Sequence, residues 1–250
     1  MGGGGTPSIG ARPSIDAFSQ RLRELGWVEG SNVAIDYRWA EGRNERMAEI
    51  ATEFVRLKVD VIVTTGTPAT LAAKQATYAI PIVFVGTGDP VGTGLVASLA
   101  QPGGNITGLS NQTKDLAGKR VELLREVVTG LRRLAILANV GNPAAALEMG
   151  EVQSAARTLG VEITKLEIRR AEDIAPAFEV LASRADAIYV MMDTLLGTNL
   201  VSINTLAAST RLPTMHGSSS LRKNLEIEVF LSLEGHCFWC VRLFEALLVV

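Results

Sequence analysis

A doubly wound α/β fold made of two similar lobes is what this 250-residue chain predicts. Three observations carry the prediction. Strand-like and helix-like segments alternate along most of the chain, the signature of parallel sheets with crossover helices. The strand-like segments are continuous apolar runs, as in parallel strands covered on both faces. One series of landmarks also occurs twice in the same order. With 47% apolar residues the chain can bury a substantial core, and at about 100–200 residues per domain it holds one or two domains.

The elements follow in order. Ile15, Phe18, Leu22 and Leu25 recur at helical spacing, with Ser14 placed as an N-cap and Gly26 as a stop. After the turn at Glu29-Gly30, residues 33–39 (Val33 to Trp39) read as a strand. Met47, Ile50, Ala51, Phe54 and Val55 mark a second amphipathic helix. Val61-Ile62-Val63 reads as a buried strand, Pro68 to Thr77 as a helix, and Ile82 to Val85 as another buried strand. A second series begins with a helix at Lys119 to Val128. It continues through the strand Leu134 to Ala138 and a helix from Pro143 to Leu159.

The repeat then becomes explicit. Leu25-Gly26 followed by Val33-Ala34-Ile35 matches Leu159-Gly160 followed by Val161-Glu162-Ile163, Ala40-Glu41 matches Ala171-Glu172, and Asp60 to Val63 matches Asp186 to Val190. Leu25 to Pro81 spans 56 positions and Leu159 to Pro213 spans 54. Two lobes are therefore expected, residues 1–108 and 109–219, with the crossover at Pro102 to Gly108 and residues 220–250 as a tail of different character. The strand Leu134 to Ala138 precedes the first long helix of its series, whereas only a Gly-rich stretch precedes the Ile15 helix. Lobe one is thus expected to lack its first strand, with residues 1–13 forming no central strand.

Charge and composition exclude several functions. Lys+Arg 24 against Asp+Glu 26 leaves no positive field for nucleic acid or an anionic membrane. Met1 to Ser8 has neither a basic start nor an apolar stretch, so no signal peptide is expected from it. Residues 237–250, the most apolar stretch, carry Arg242 and Glu245 and fall short of the roughly 20 residues that span a bilayer. The chain is expected to be soluble. Gly86-Thr87-Gly88 lacks the third glycine of a dinucleotide fingerprint, and no phosphate loop occurs. Gly217-Ser218-Ser219-Ser220 is not a nucleophile elbow. His216 and His236 have no evident metal-ligand partners, and Cys237 and Cys240 sit outside any thioredoxin-like unit. No catalytic residue, metal or cofactor is expected.

Chemistry in such a fold belongs at the carboxyl ends of the strands, where helix N-termini present free N–H groups. Thr67-Pro68, Asp89-Pro90 and Asn142-Pro143 each place a capping residue before proline, and each reads as a helix start. Thr64-Thr65-Gly66-Thr67-Pro68 surrounds one such start with three hydroxyls, which suits a carboxylate. Asp193, at the corresponding place in lobe two, would face it as an acceptor for an ammonium or hydroxyl. Donors on one wall and an acid on the other suit a zwitterion. An exposed loop aspartate and ordinary helix starts are the plainer alternatives.

Several longer stretches carry a resemblance. Glu24 to Gly30, Asp36 to Gly42, Ile80 to Phe84, Gly88 to Val91, Gly94 to Leu99, Pro102 to Gly108 and Lys119 to Leu124 together resemble the ABC-transporter substrate-binding proteins, tryptophan and aromatic amino-acid binders among them. The similarity runs from about Ile15 to Ser219. It implies a type I periplasmic-binding-protein fold, with two Rossmann-like lobes closing on a hinge around an amino acid or similar small solute, and presentation of the closed form to a membrane permease. Periplasmic or other extracytoplasmic localisation, no enzymatic activity and a monomeric state are implied in the same way. Carried onto this chain, the pocket falls at Thr65, Gly66, Thr67, Asp89, Ser110, Asn139, Asn142 and Asp193. The chain departs from the family pattern at both ends: it starts just before the first helix, and Ser220 to Val250 does not match the segment that returns to lobe one. A tail that packs poorly is expected there. A ligand-sensing module of a regulator and a two-lobe α/β transferase remain as alternatives. The first would bring a DNA-binding or signalling segment, and the second would need a base and a phosphate cradle.

Overall fold

The computed structural model describes residues 12–217 except 112 and 182–183. The expectations for residues 1–11, for Cys237, Cys240 and His236, and for the 220–250 tail therefore lie outside the described residues. All strands within them are parallel and fall into two sheets.

Helix α1 (Arg12–Glu24) precedes α2 (Asn44–Leu57), and both match amphipathic segments of the sequence. Strand β1 (Ile62–Thr65), helix α3 (Thr67–Ala76), β2 (Ile82–Gly88) and β3 (Ile106–Asn111) follow in lobe one, with strand order β1-β2-β3. Ile62 pairs with Ile82 and Ile82 with Ile106, so these three share one face, and with Phe84, Ala73, Leu95 and Val96 they form the lobe's core. Helix α2 packs on α3 over that core.

Lobe two contains α4 (Thr113–Val127), β4 (Arg133–Asn139), α5 (Pro143–Leu159) and β5 (Glu162–Ile168). After a short 3-10 helix at Ala171–Asp173 come α6 (Ile174–Leu181), β6 (Ala187–Val190), α7 (Thr194–Thr198), α8 (Leu200–Ser209) and β7 (Thr214–His216). The sheet order is β5-β4-β6-β7. Strand β4 is buried along both faces from Leu134 to Asn139, because α4 and α5 pack together and α6 packs with α8. Its core joins Leu134, Ile136, Leu137, Ile188 and Tyr189 of the strands to Val121, Leu124, Val152, Phe178 and Ile203 of the helices. No helix among the described residues is long and apolar enough to cross a membrane.

Four expectations are corrected here. Residues 33–39 make no ladder beyond an isolated bridge between Glu29 and Val33. In lobe two the corresponding strand β5 pairs with β4, and by the repeat the counterpart of β4 would precede α1. Among the described residues the run Val61-Ile62-Val63 is covered on one face only, since Val61, Val63, Val85 and Leu109 are all exposed. The stretch expected to be pure crossover, 102–108, contains the start of β3. Gly108 allows this strand to pair closely, since a Cβ there would stand 2.0 Å from the Phe84 carbonyl oxygen. Helix α4 begins at Thr113, ahead of the expected Lys119, because its buried stripe already includes Thr113 and Ala117.

Candidate functional site

The strand order of lobe two reverses direction at β4, with β5 on one side and β6 on the other. Crevices of open parallel sheets form at the carboxyl ends of such a pair. Three of the expected residues converge there. Asn139 ends β4, Asn142 is the N-cap of α5 and Asp193 is the N-cap of α7. Asp193 Oδ1 accepts from the Leu195 N–H at 2.7 Å and from Asn139 Nδ2 at 3.1 Å, while Oδ2 accepts from Asn142 Nδ2 at 2.9 Å. Asn139 Oδ1 in turn accepts from the Gly141 N–H, and Asn142 Oδ1 from the Ala144 N–H. All three side chains are buried. The circuit fixes two helix starts and one strand end to each other, so Asp193 is already engaged through both carboxylate oxygens.

The lobe-one wall is built from β1, β2 and β3. Gly66, with φ 77°, is the N-cap of α3, so Thr67 does not cap the helix. Its buried hydroxyl instead accepts from the Gly88 N–H at 3.1 Å and holds the end of β2. Thr64 Oγ1 turns to Thr70 Oγ1 at 2.9 Å, and Thr65 is exposed. The expected cluster of three hydroxyls is therefore split among three tasks. Asp89-Pro90 opens a turn instead of a helix: Asp89 Oδ1 accepts from the Gly92 N–H at 2.8 Å and Oδ2 meets Lys114 Nζ at 3.1 Å. The Gly92 N–H, then Lys114, hold the Asp89 carboxyl below its ordinary pKa against the opposing effect of burial. Ser110 Oγ donates to the Thr87 carbonyl at 3.4 Å. Thr87 Oγ1 is buried and has no hydrogen-bond partner among the described residues.

The two walls meet. A Cβ at Gly66 would stand 2.6 Å from Thr194 Oγ1, and one at Gly88 3.0 Å from the Ala144 Cβ. Asn44 Nδ2 donates to the Gly141 carbonyl at 3.3 Å, and Asn111 Nδ2 lies 3.3 Å from Met192 Sδ. The Thr65 to Thr67 segment and the Asn139, Asn142, Asp193 circuit thus face each other across the seam between the lobes, with Asp89 and Ser110 near the strand ends of its lobe-one side.

Behind the lobe-two wall lies a buried polar group that sequence reasoning did not single out. Glu148, 2% exposed, accepts from the Tyr189 hydroxyl at 2.8 Å and stands 4.0 Å from Arg120 Nη1. Arg120 also donates to the Thr113 carbonyl at 3.0 Å. Burial pushes both the Glu148 carboxyl and the Tyr189 phenol above their ordinary pKa values. The sequence signal was available: Glu148 falls in the stripe Ala144, Ala145, Met149, Val152, Ala156, where a charged residue interrupts an apolar helix face. His216, the one described histidine singled out earlier, lies 3.0 Å from Asn204 Oδ1 through Nε2, and burial lowers its pKa to about 4. Among the described residues no three His, Cys, Asp or Glu side chains gather into a metal-binding group.

Comparison with known proteins agrees with this architecture. A tyrosine-binding protein of Clostridioides difficile is 27% identical over 213 residues. That match takes in 84% of this chain but 61% of the relative, so the chain spans less than two thirds of its length. Among solved structures, a conserved domain protein from Vibrio cholerae superposes with a TM-score of 0.75 at 31% identity, covering 83% of this chain and 71% of that one. An ABC domain in complex with L-Trp from Streptococcus pneumonia gives a TM-score of 0.76 at 23% identity, covering 86% and 72%, and shares the fold. The family model of the ABC transporter substrate binding protein matches residues 11–224, and the chain belongs to that family.

Proposed function

We propose that this chain acts as the extracytoplasmic solute-binding component of an ABC importer, holding a small amino acid-like solute between its lobes and presenting it to a membrane permease. The observation that carries this reading is the meeting of the carboxyl edges of two parallel sheets along one seam, on a chain of this family. The relatives add the solute class, since one is named for tyrosine and another was solved with L-Trp. The residues proposed to contact solute are Thr65, Gly66, Thr67, Asp89, Ser110, Asn139, Asn142 and Asp193. The roles differ within that set. Thr65 and the Gly66 backbone offer donors at the start of α3, where a helix dipole favours a carboxylate. The Asn139, Asn142, Asp193 circuit shapes the opposite wall and supplies negative charge toward an ammonium group.

No bond is made or broken in this function. A solute that touches both lobes favours the closed arrangement by the difference in its affinity for the two states, and closure is the signal a permease reads. Isothermal titration of the full chain with L-tyrosine, L-tryptophan and L-leucine, with mass spectrometry of the recovered solute, tests this. Saturable binding of at least one of them with the solute returned unchanged is expected. A chemically altered product, or no binding of any amino acid across a twenty-member panel, would overturn it.

A further inference from the structure

Helix α5 buries Ala144, Ala145, Met149, Val152 and Ala156 in lobe two, and one carboxylate stands among them. Glu148 Oε1 accepts from the Tyr189 hydroxyl of β6 at 2.8 Å. Arg120 of α4, 4.0 Å from the same oxygen, also donates to the Tyr189 hydroxyl at 3.4 Å and to the Thr113 carbonyl at 3.0 Å. Burial raises the Glu148 pKa, while Tyr189, then Arg120, the Thr113 hydroxyl and the Met192 N–H draw it back, so the backbone of Met192 belongs to the same group. The chain leaving β7 closes it: a Cβ on Gly217 would stand 2.8 Å from Met192 N and 3.2 Å from Glu148 Oε1.

For stability alone such a group is a poor choice. A buried charge loses its water, and well-packed apolar residues in place of a buried ion pair often leave a fold as stable or more so. What the carboxylate supplies is position. Met192 is followed by Asp193, whose own carboxylate is held from the other side by Asn139 and Asn142. Helix α5 therefore holds this turn at two points, at its N-cap through Asn142 and further along through Glu148. We propose that Glu148 is a positioning residue for the solute site: anchored by Tyr189 and Arg120, it sets the depth of the Met192-Asp193 turn and with it the place of the Asp193 carboxylate, without touching solute. This assignment rests on the solute-binding reading above for its effect on affinity; its effect on the turn stands apart.

Glu148→Gln keeps the shape of the side chain and one acceptor for the Tyr189 hydroxyl, but turns an amide NH2 group toward the remaining donors. Val152→Ala, on the same buried stripe of α5, opens a cavity away from the turn and serves as the comparator for a loss of stability alone. Hydrogen exchange followed by NMR on the solute-free full chain reads the turn through the Leu195 and Leu196 amides, both of which donate to Asp193 Oδ1. Titration with L-tyrosine reads affinity. Circular dichroism melting confirms that each variant folds.

In Glu148→Gln, exchange at Leu195 and Leu196 should rise at least about tenfold relative to the amides of β4, and affinity for L-tyrosine should fall by a similar factor, the scale of one hydrogen bond to a charged group. Val152→Ala should melt earlier without singling out Leu195 and Leu196, and its affinity should stay near that of the parent. A folded Glu148→Gln that exchanges these two amides as the parent does would overturn the assignment, as would unchanged affinity for L-tyrosine or a Val152→Ala variant that matches it in both measurements. Should Glu148→Gln fail to fold, Tyr189→Phe, which removes the hydroxyl and keeps the ring, decides by the same comparison. Failure of L-tyrosine to bind any form would count against the solute proposed above, and the exchange comparison of the solute-free chains then judges the positioning role alone.

Discussion

At Asp193 a single carboxylate both caps α7 and ties the ends of β4 and α5 through Asn139 and Asn142. Its removal leaves two buried amides and the first N–H groups of α7 without acceptors. Loss of a cap costs about 1 kcal/mol and each buried unsatisfied donor about 1–3 kcal/mol. Asp193→Ala should therefore lower stability by roughly 2–4 kcal/mol, measurable by urea denaturation; a loss within experimental error would mean that the circuit rearranges without cost. His216 makes a prediction with a sign. Its pKa is lowered by burial from 6.5 to about 4, so between those values the unfolded chain binds a proton that the folded chain refuses. Stability then falls as pH drops through that window. Glu148, raised by burial, works in the opposite direction, favouring the fold at low pH and losing that contribution as pH rises through its folded value. Comparing His216→Gln with the parent isolates the histidine: the variant should lose less stability than the parent between pH 7 and pH 4.5, and identical pH dependence would refute the assignment.

At the level of elements, the match between sequence and structure depends on how local the deciding interactions are. Helix α5 begins and ends where the sequence placed it, since Asn142 caps it, Pro143 opens it and Gly160 closes it with φ 68°, all within one turn of its ends. The repeat, the alternation and the family motifs were likewise legible, and they were enough for the fold. Strand β3 was not, because Gly108 and Asn111 are residues that strands disfavour and only the approach of Phe84 explains the glycine. Gly108→Ala should force β2 and β3 apart and cost about 1–3 kcal/mol or more; a melting temperature equal to that of the parent would show that the ladder yields without penalty. Thr67, Asp89 and Glu148 show the matching limit at the site. Proximity in sequence suggested that Thr67 would cap α3 and Asp89 start a helix, whereas Gly88 from another strand takes the first and a local turn takes the second. Glu148 lies within a helix, away from the strand ends, and its partners Tyr189 and Arg120 come from elements far apart in the chain, so its role is not legible locally.

Across the whole molecule the two lobes are unequal. The β4 sheet is enclosed between helix pairs, while the β1 to β3 sheet leaves Val61, Val63, Val85 and Leu109 facing outward. Local stability follows buried apolar contact, so native-state hydrogen exchange should find the amides of β4 and β6 protected more strongly than those of β1 and β2; the reverse order would mean that lobe one is the tighter unit. Every ladder among the described residues is parallel, and this reaches into how the chain is made. In the first sheet strands pair in the order in which they are synthesised, β1 with β2 and β2 with β3. In the second, the apolar strand Leu134 to Ala138 gains β5 on one flank but must wait for Ala187 to Val190 on the other. At the usual pace of translation that wait lasts roughly 2–10 s. During it the central strand of lobe two presents an open, water-averse edge to the crowded surroundings of the ribosome, and that interval is when a chaperone would find this protein most in need of shelter.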